Sequence, residues 1–315
     1  MVIKDKYDRP ILSFRMSITN RCNLNCLYCH HDGMIPSKDE MTPSEIAKIA
    51  EVAKDLGVKK IRLSGGEPLL RKDIVDIVDK LNQIGFKDIS LTTNGTFLSK
   101  YSQDLKNAGL DRINVSLDTL NEDKYKFLTK KDYLSGVKEG ILKAVEYGIY
   151  PVKINMVLMK GINEDEIWDM FTFTRDNGLI LQLIELMESE SCDDNSFSKN
   201  HHLDISSIEE EIKKIADEVK LRKNMQNRPK YFIGKGEIEI VKPFDNTNFC
   251  QRCTRLRLTP TGKIKPCLLR NDNLINIINP IRNGASDEEL KQIFLEGISL
   301  REPYNKAECD KSYRC

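Results

Sequence analysis

The chain has 315 residues, of which 40% are hydrophobic and 31% charged, with 49 Lys plus Arg against 48 Asp plus Glu. This apolar fraction is enough for a substantial core, which excludes disorder for the chain as a whole. The sequence has no apolar run of about eighteen residues and no hydrophobic N-terminal segment, so we expect neither a transmembrane nor a secreted protein. The nearly neutral charge argues against a protein built mainly to hold a polyanion, and we expect no nucleic-acid or membrane partner.

Strand-like and helix-like segments alternate over the first half of the chain. For the first helix, Thr42 is the expected N-cap, Pro43 the first helical residue and Gly57 the C-terminal stop. The predicted strands are 11–19, 59–64, 88–93, 112–117, 152–158 and 179–186, and the predicted helices are 41–57, 73–85, 98–107, 121–148 and 164–177. These six β/α units predict a parallel sheet with helical crossovers, and an open partial (β/α)6 TIM-like barrel suits that number better than a closed one.

The sequence pattern changes after residue 187. Residues 188–202 are polar and predict a loop, whereas 205–219 predict an amphipathic helix. Short strands and a hairpin follow from about residue 230, and a helix capped by Ser286 is predicted over 283–298. We therefore predict two domains in an α/β protein: a partial barrel over 1–190 and a smaller α+β module over 191–315.

Nine cysteines are distributed unevenly along the chain. Without a secretory signal they are expected to stay reduced, so tight groups indicate metal or cluster ligands rather than disulfides. One triplet is Cys22, Cys26 and Cys29, a second is Cys250, Cys253 and Cys267, and the isolated cysteines are Cys192, Cys309 and Cys315.

The first triplet directly follows the first predicted strand. Its spacing suits an iron–sulfur cluster with one open iron, and it equally suits a structural zinc site completed by His30 or His31. A loop between strand and helix lies at the face of such a sheet where active sites are built, which favours a catalytic site.

The C-x3-C-x2-C spacing, with Tyr28 just before the third cysteine, resembles the radical S-adenosylmethionine (SAM) superfamily. The Gly-Gly-Glu-Pro turn over 65–68, after the second predicted strand, strengthens that resemblance. The resemblance implies a 4Fe-4S cluster whose open iron binds SAM, and whose electron cleaves SAM to a 5′-deoxyadenosyl radical. The SAM-binding residues it implies are Tyr28, Gly65, Gly66, Glu67, Ser116 and Met187.

The second triplet is followed by Leu268 and encloses an Arg-Leu-Arg segment at 255–257. This combination resembles the GTP 3′,8-cyclase family of molybdenum cofactor biosynthesis, and the resemblance extends from about Arg15 to about Leu269. It implies a second 4Fe-4S cluster on Cys250, Cys253 and Cys267, with its open iron facing the purine of GTP. Further matching stretches are 17–22, 91–96, 114–119, 153–163 and 184–187.

Arg255 and Arg257 alternate on a predicted strand, so both guanidinium groups face the same side. Guanidinium groups bind phosphate oxygens in a bidentate manner, although a basic strand neutralised by solvent or acidic neighbours would look the same. The resemblance favours a phosphate site. The substrate-binding residues it implies are Arg15, Arg62, Thr93, Lys153, Arg255 and Arg257, of which Arg15, Arg255 and Arg257 are the catalytic candidates.

Two features depart from the family pattern. The chain ends in Cys315 rather than in a pair of glycines, and Gln182 stands where the family usually has an arginine. The first departure puts catalysis by the tail in doubt, and the second changes the expected anion contacts.

The resemblance implies a cytoplasmic lyase that converts GTP to 3′,8-cyclo-7,8-dihydro-GTP, using two 4Fe-4S clusters and SAM. The expected partners are a ferredoxin- or flavodoxin-like electron donor, a downstream pterin synthase that receives the product, and a second copy in a homodimer. One alternative is a radical SAM enzyme with an auxiliary cluster that acts on a peptide or another nucleotide. Another is a non-catalytic zinc-binding interaction protein.

Overall fold

The computed structural model describes residues 2–29, 39–187, 196–222, 225–243 and 247–303. The predictions for His30, His31, Cys192, Cys309 and Cys315 lie outside these residues, as does most of the predicted loop 188–202. None of the helices in the described ranges is long and apolar enough to cross a membrane.

Six parallel strands and their crossover helices form the first half of the chain, which confirms the predicted alternation. Thr42 and Glu45 form a capping box at the start of the first helix, and Gly57 follows its end with φ 91°. The elements are β1 Ser13–Ser17, α1 Pro43–Asp55, β2 Lys60–Ser64, α2 Ile74–Gln83, β3 Ile89–Thr93, α3 Leu98–Asn107, β4 Arg112–Ser116, α4 Glu122–Thr129, α5 Leu134–Glu146, β5 Val152–Leu158, α6 Ile167–Asp176 and β6 Ile180–Glu185.

The prediction of one helix over 121–148 is wrong, because the chain breaks between α4 and α5. Lys130 has a left-handed backbone with φ 61°, in which a right-handed helix cannot continue. The last carbonyls of α4 are then free to accept hydrogen bonds from the first cysteine loop. The amide of Leu27 donates to the Leu128 carbonyl at 3.0 Å, and that of Asn25 to the Thr129 carbonyl at 3.1 Å.

The second half of the chain is mixed. The helix predicted over 205–219 ends at Ile215, and its last residues instead enter an antiparallel strand. Part of the polar segment 188–202 is helical, and the helix predicted over 283–298 begins at Asp287 after its cap, Ser286. The elements are α7 Ser196–His201, α8 Ser206–Ile215, β7 Glu218–Arg222, β8 Arg228–Ile233, β9 Gly236–Val241, α9 Thr247–Gln251, β10 Arg255–Leu258, β11 Lys263–Lys265, β12 Ile275–Asn276, α10 Ile278–Arg282 and α11 Asp287–Ser299.

All twelve strands of the described residues join one sheet, in the order β12-β11-β10-β1-β2-β3-β4-β5-β6-β9-β8-β7. Strand β10 pairs with β1 in parallel, and β9 pairs with β6 in parallel. The second half of the chain therefore extends both edges of the six-stranded unit. The division at residue 190 stays a prediction, and the sheet itself is continuous across the two parts.

The strands around β1 are apolar on one face and polar on the other. Phe14, Ile61 and Leu256 are neighbours in register and are at most 1% exposed. Phe14 packs edge-on against Phe294 of α11, with ring centroids 5.2 Å apart. Because alternate residues of a strand point to opposite faces, the arginines next to these core residues project to the other side of the sheet.

Candidate active site

A cavity of about 710 Å³ lies on the polar side of the sheet, and all six cysteines of the two triplets line it. A volume of this size is typical of small-molecule and cofactor sites. None of these six cysteines forms a disulfide. Of the other predicted site residues, those that line this cavity are Arg15, Tyr28, Arg62, Gly65, Gly66, Met187, Arg255 and Arg257.

The two triplets lie at opposite ends of the strands. Cys22 follows the carboxyl end of β1, whereas Cys253 precedes Arg255, which pairs with Ser13 at the amino end of β1. Strand β11 runs antiparallel to β10 and returns the chain to the same end, where Cys267 follows. The cavity therefore has thiols at both ends, with Arg15, Arg62 and Arg257 at the level between them.

Each triplet contains the same local turn. The amide of Cys29 donates to the carbonyl of Cys26, and the amide of Cys253 donates to that of Cys250, both at 3.1 Å. The first triplet also receives a side-chain contact, because the Asn94 amide nitrogen lies 3.9 Å from the Cys22 sulfur. Asn94 is itself held by Asn23, whose side-chain oxygen accepts a 2.8 Å hydrogen bond from that nitrogen.

Gly65 and Gly66 pack against the segment that leads into the first triplet. The Gly66 amide donates to the Thr19 carbonyl at 2.8 Å. A Cβ atom on Gly65 would lie 2.3 Å from the Thr19 carbonyl oxygen, and one on Gly66 would lie 2.3 Å from that of Arg21. Side chains are excluded at both positions because the backbones touch, and the absence of side chains leaves main-chain atoms on the cavity wall.

Glu67 and Thr93 lie behind that wall, and neither is among the cavity-lining residues of the described ranges. The Thr93 hydroxyl donates to the Glu67 carboxylate at 2.7 Å, and the backbone amides of Leu69 and Asn94 donate to it at 2.9 and 2.6 Å. Burial raises the pKa of Glu67 to about 7 despite these donors. In this structure the carboxylate orders the turns after β2 and β3.

Tyr28 faces the large cavity and also a second one of about 30 Å³, which Ser116 lines. The Tyr28 hydroxyl donates to the carboxylate of Asp118, whose other oxygen accepts the Val157 amide at 2.8 Å. Burial raises the pKa of Asp118 to about 6, although both hydrogen bonds oppose the shift. Tyr28 is thus held by a buried partner, and Ser116 is separate from the main cavity.

Three arginines form a row across neighbouring strands, because Arg257 pairs in register with Arg15 and Arg15 with Arg62. Burial lowers the pKa of Arg62 well below its usual value, and nearby guanidinium groups add to that shift. Burial and the neighbouring arginines likewise lower the pKa of Arg255 to about 9. Within the described ranges no carboxylate forms an ion pair with Arg62, Arg255 or Arg257. A bound polyanion would relieve this crowding of like charge.

Lys153 is held away from this row. It forms a buried ion pair with Glu239, and Arg222 contacts the same carboxylate with 2.9 Å distances to both oxygens. Burial by itself would raise the pKa of Glu239, but the charges of Lys153, Arg222 and Arg228 outweigh it and lower that pKa to about 2. Lys153 is not among the cavity-lining residues of the described ranges. Its contact with the substrate stays a prediction.

Arg228 also lines the cavity, from β8, and is not among the site residues predicted from the sequence. One of its guanidinium nitrogens donates to the side-chain oxygen of Gln182 at 3.1 Å, and the Gln182 amide donates to Asn155 at 2.8 Å. Gln182, which stands where the family pattern has an arginine, thus contacts a guanidinium group from β8, two strands along the sheet. A single sequence carries no signal for this pairing, which depends on β8 and β9 joining the sheet edge beside β6.

The chemistry of the two triplets fits iron–sulfur clusters. Three soft thiol ligands with one coordination position left open are the donor set that such a cluster uses when it also binds a small molecule. In the described part of the chain, no three His, Cys, Asp or Glu side chains lie close enough to share one metal ion. The neighbouring arginines outweigh burial and lower the pKa of Cys253 to about 7, which favours the thiolate ligand.

Comparisons with known proteins agree with this geometry. The sequence-family model of the radical SAM superfamily matches residues 16–174, and the family model of Molybdenum Cofactor Synthesis C matches residues 179–307. A probable GTP 3′,8-cyclase of Methanothermobacter thermautotrophicus is 55% identical over 304 residues, covering 96% of this chain and 99% of that protein. A probable GTP 3′,8-cyclase of Pyrococcus abyssi is 48% identical, covering 95% and 98%.

Solved structures share the fold at low sequence identity. SuiB of Streptococcus suis with bound S-adenosylmethionine has a TM-score of 0.63 and 17% identity, covering 95% of this chain and 66% of that one. A histidine-tagged anSMEcpe with bound AdoMet has a TM-score of 0.59 and 17% identity, covering 89% and 79%. The partial barrel, the two cysteine triplets and the near-full-length relatives agree, and the chain belongs to the radical SAM superfamily and, within it, to the GTP 3′,8-cyclase family.

Proposed function

We propose that this chain converts GTP to 3′,8-cyclo-7,8-dihydro-GTP in molybdenum cofactor biosynthesis. One observation carries this conclusion: a single cavity has a cysteine triplet at each end and a row of arginines at the level between them. One triplet alone would suit many radical reactions. The arginines add a site for a polyanion, and the second triplet adds a place for the base of a nucleotide.

The residues of the cavity have separable tasks in this reaction. Cys22, Cys26 and Cys29 would hold the first cluster, which together with SAM would supply the radical chemistry that removes hydrogen from ribose C3′ and lets this carbon bond to C8 of guanine. One further electron from the external donor and one proton would complete the dihydro product. Arg15, Arg62 and Arg257 bind the triphosphate and fix the nucleotide along the cavity. Main-chain atoms of Gly65 and Gly66 form the wall on which SAM lies, and Tyr28, held by its buried partner, limits its position. Orientation of two bound molecules is the main contribution of such a scaffold.

The second cluster is the finer part of the proposal. Cys250, Cys253 and Cys267 would hold it, and its open iron would bind the guanine. Reconstituted protein should contain about eight irons and eight sulfides per chain, against about four of each if only the first triplet is loaded. Two zinc ions without sulfide would instead support the zinc-binding alternative.

Among the alternatives, a peptide substrate has no comparable support in the cavity. The solved neighbours are too distant in sequence to carry more than the fold, and a peptide does not explain a row of guanidinium groups on one wall. The experiment that tests the proposal is anaerobic incubation of reconstituted protein with SAM, dithionite and GTP. Formation of 5′-deoxyadenosine without a cyclic product derived from GTP would contradict the substrate assignment.

We also propose that a small acidic one-electron carrier, ferredoxin- or flavodoxin-like, docks beside the first triplet. The loop of that triplet is hydrogen-bonded to the end of α4, through Leu27 and the Leu128 carbonyl. Beyond this contact Lys130 and Lys131 are exposed, and the Lys130 ammonium lies 4.8 Å from the ring centroid of the half-exposed Phe127. Positive charge around an exposed aromatic ring suits an acidic partner.

Replacement of Lys130 and Lys131 by Glu should slow electron transfer from a reduced flavodoxin at low salt. It should leave reduction by dithionite unchanged. Equal rates with flavodoxin in the variant and the parent protein would place the docking surface elsewhere. Delivery of the product to a pterin synthase, a homodimer and a cytoplasmic location stay predictions.

A further inference from the structure

The two ends of the described chain meet behind the second triplet. Asp5 is 7% exposed, Arg9 4% and Arg301 1%. One carboxylate oxygen of Asp5 accepts a hydrogen bond from Nε of Arg9 and another from Nη1 of Arg301, both at 2.8 Å. The backbone amide of Arg9 donates to the other oxygen at 3.0 Å. A single buried carboxylate thus orients two guanidinium groups from opposite ends of the chain, Asp5 and Arg301 being 296 residues apart in sequence.

One further donor of each arginine reaches the cysteine turn itself. Nη1 of Arg9 donates to the Cys250 carbonyl at 2.9 Å, and Nη2 of Arg301 donates to the Cys253 carbonyl at 2.6 Å. Both contacts are made to main-chain atoms of cysteines in the second triplet. Because a guanidinium fork has fixed geometry, its contact with Asp5 determines where its other nitrogens point.

We propose that Asp5, Arg9 and Arg301 form a positioning unit for the second iron–sulfur cluster. The unit holds the Cys250–Cys253 turn in place and sets a net positive charge beside it, since two guanidinium groups face one carboxylate. Both arginines also line the cavity. This inference rests on the proposed second cluster. It gives the two ends of the described chain a role in the active site, in addition to the structural link between them.

The charge gives the unit a measurable signature. A cluster held by three thiolates is anionic, so nearby positive charge stabilises its reduced state and raises its reduction potential. Arg301→Gln removes the charge, and Arg301→Lys keeps it while losing the fork. We expect the glutamine variant to lower the potential of the second cluster, and the lysine variant to stay closer to the parent value. A purely structural link predicts no such difference between the two.

The potential is measured by redox titration in full-length protein in which Cys22, Cys26 and Cys29 are replaced by Ala, so that one cluster remains. Asp8→Asn is the matched control, because Asp8 lies in the same segment, is exposed and forms an ion pair only with Lys4 among the described residues. Equal potentials in the parent, Arg301→Gln and Arg301→Lys proteins would overturn the electrostatic part of the proposal.

A second readout needs no cluster. In the native apoprotein, alkylation of Cys250 and Cys253 by iodoacetamide should become several-fold faster in Asp5→Asn than in the parent or in Asp8→Asn. Melting temperatures, measured in parallel, distinguish a loosened turn from general unfolding. Unchanged alkylation in Asp5→Asn and Arg301→Gln would overturn the positioning role. If the parent protein binds only about four irons, the second cluster fails as a proposal, while the alkylation result still decides whether the unit holds the turn.

Discussion

Replacing Arg257 should weaken GTP binding and at the same time stabilise the apoprotein. Its side chain is 8% exposed, and its Nε has no hydrogen-bond partner among the described residues. In the free protein it stands beside Arg15 and near Arg255, so its charge is a cost. With a triphosphate bound, the same guanidinium can form two charge-assisted hydrogen bonds. The replacement Arg257→Met removes both the repulsion between like charges in the free protein and the hydrogen bonds to the triphosphate.

The sizes of the two effects follow from these contacts. A hydrogen bond to a charged group contributes about 1.5–3 kcal/mol. Losing two of them should weaken GTP binding by about 3 kcal/mol or more, which is at least about 100-fold. Removing one buried like charge should raise the free energy of unfolding of the apoprotein by about 1 kcal/mol. Active-site residues commonly show this exchange of stability for function.

The assay is GTP binding by calorimetry together with urea unfolding of the apoprotein. Arg112→Met is the matched control, because Arg112 lies on β4 and forms an ion pair with Asp88. This control should lower stability and leave GTP affinity nearly unchanged. An Arg257→Met protein that binds GTP within about twofold of the parent would show that Arg257 does not bind the triphosphate. One that loses as much stability as Arg112→Met would show that the charge of Arg257 does not destabilise the apoprotein.

Three further outcomes are expected. If Arg228 supplies the guanidinium that Gln182 lacks, Arg228→Gln should raise the KM for GTP. The double variant Arg228→Gln/Gln182→Arg should then have a KM closer to that of the parent. A double variant with the same KM as Arg228→Gln would contradict this. Gly66→Ala should destabilise the fold by about 1–3 kcal/mol and weaken SAM binding in equilibrium dialysis, because its Cβ would lie 2.3 Å from a backbone oxygen. The pKa of Glu67 is raised to about 7 in the folded state, so the folded protein binds more protons than the unfolded one between about pH 4.5 and 7, and this group lowers stability as pH rises through that window. Urea unfolding of Glu67→Gln apoprotein should show a smaller decline over that range, and an unchanged decline would assign the titration to another group.

Most strands of the sheet can be predicted from the sequence, because they are apolar runs bounded by turn residues. Phe14 and Leu256 are buried on one side while Arg15 and Arg257 face the other, as alternation on a strand requires. Helix starts such as Thr42 are equally local, since a capping box needs only residues three apart. The cysteine spacing also indicates the two triplets without any knowledge of the tertiary structure.

The partners of buried charged side chains cannot be predicted from the sequence in this way. Lys153 looks like a free cation on a strand, and its partner Glu239 is 86 residues further along the chain. The contact of Asp5 with Arg301 spans 296 residues. Such pairs depend on which strands and chain ends become neighbours in the fold, and the local sequence around each residue does not determine that arrangement. The break at Lys130 is similar, because the freed carbonyls of α4 are satisfied by a loop from much earlier in the chain, at Asn25 and Leu27.

In the proposed reaction, the cavity holds the ribose of GTP beside the adenosyl carbon of SAM. The most direct test is to incubate anaerobically reconstituted protein with SAM, dithionite and GTP deuterated at C3′, and to measure deuterium in the 5′-deoxyadenosine by mass spectrometry. We expect deuterium to be transferred to 5′-deoxyadenosine together with formation of 3′,8-cyclo-7,8-dihydro-GTP. Formation of 5′-deoxyadenosine without deuterium would contradict it.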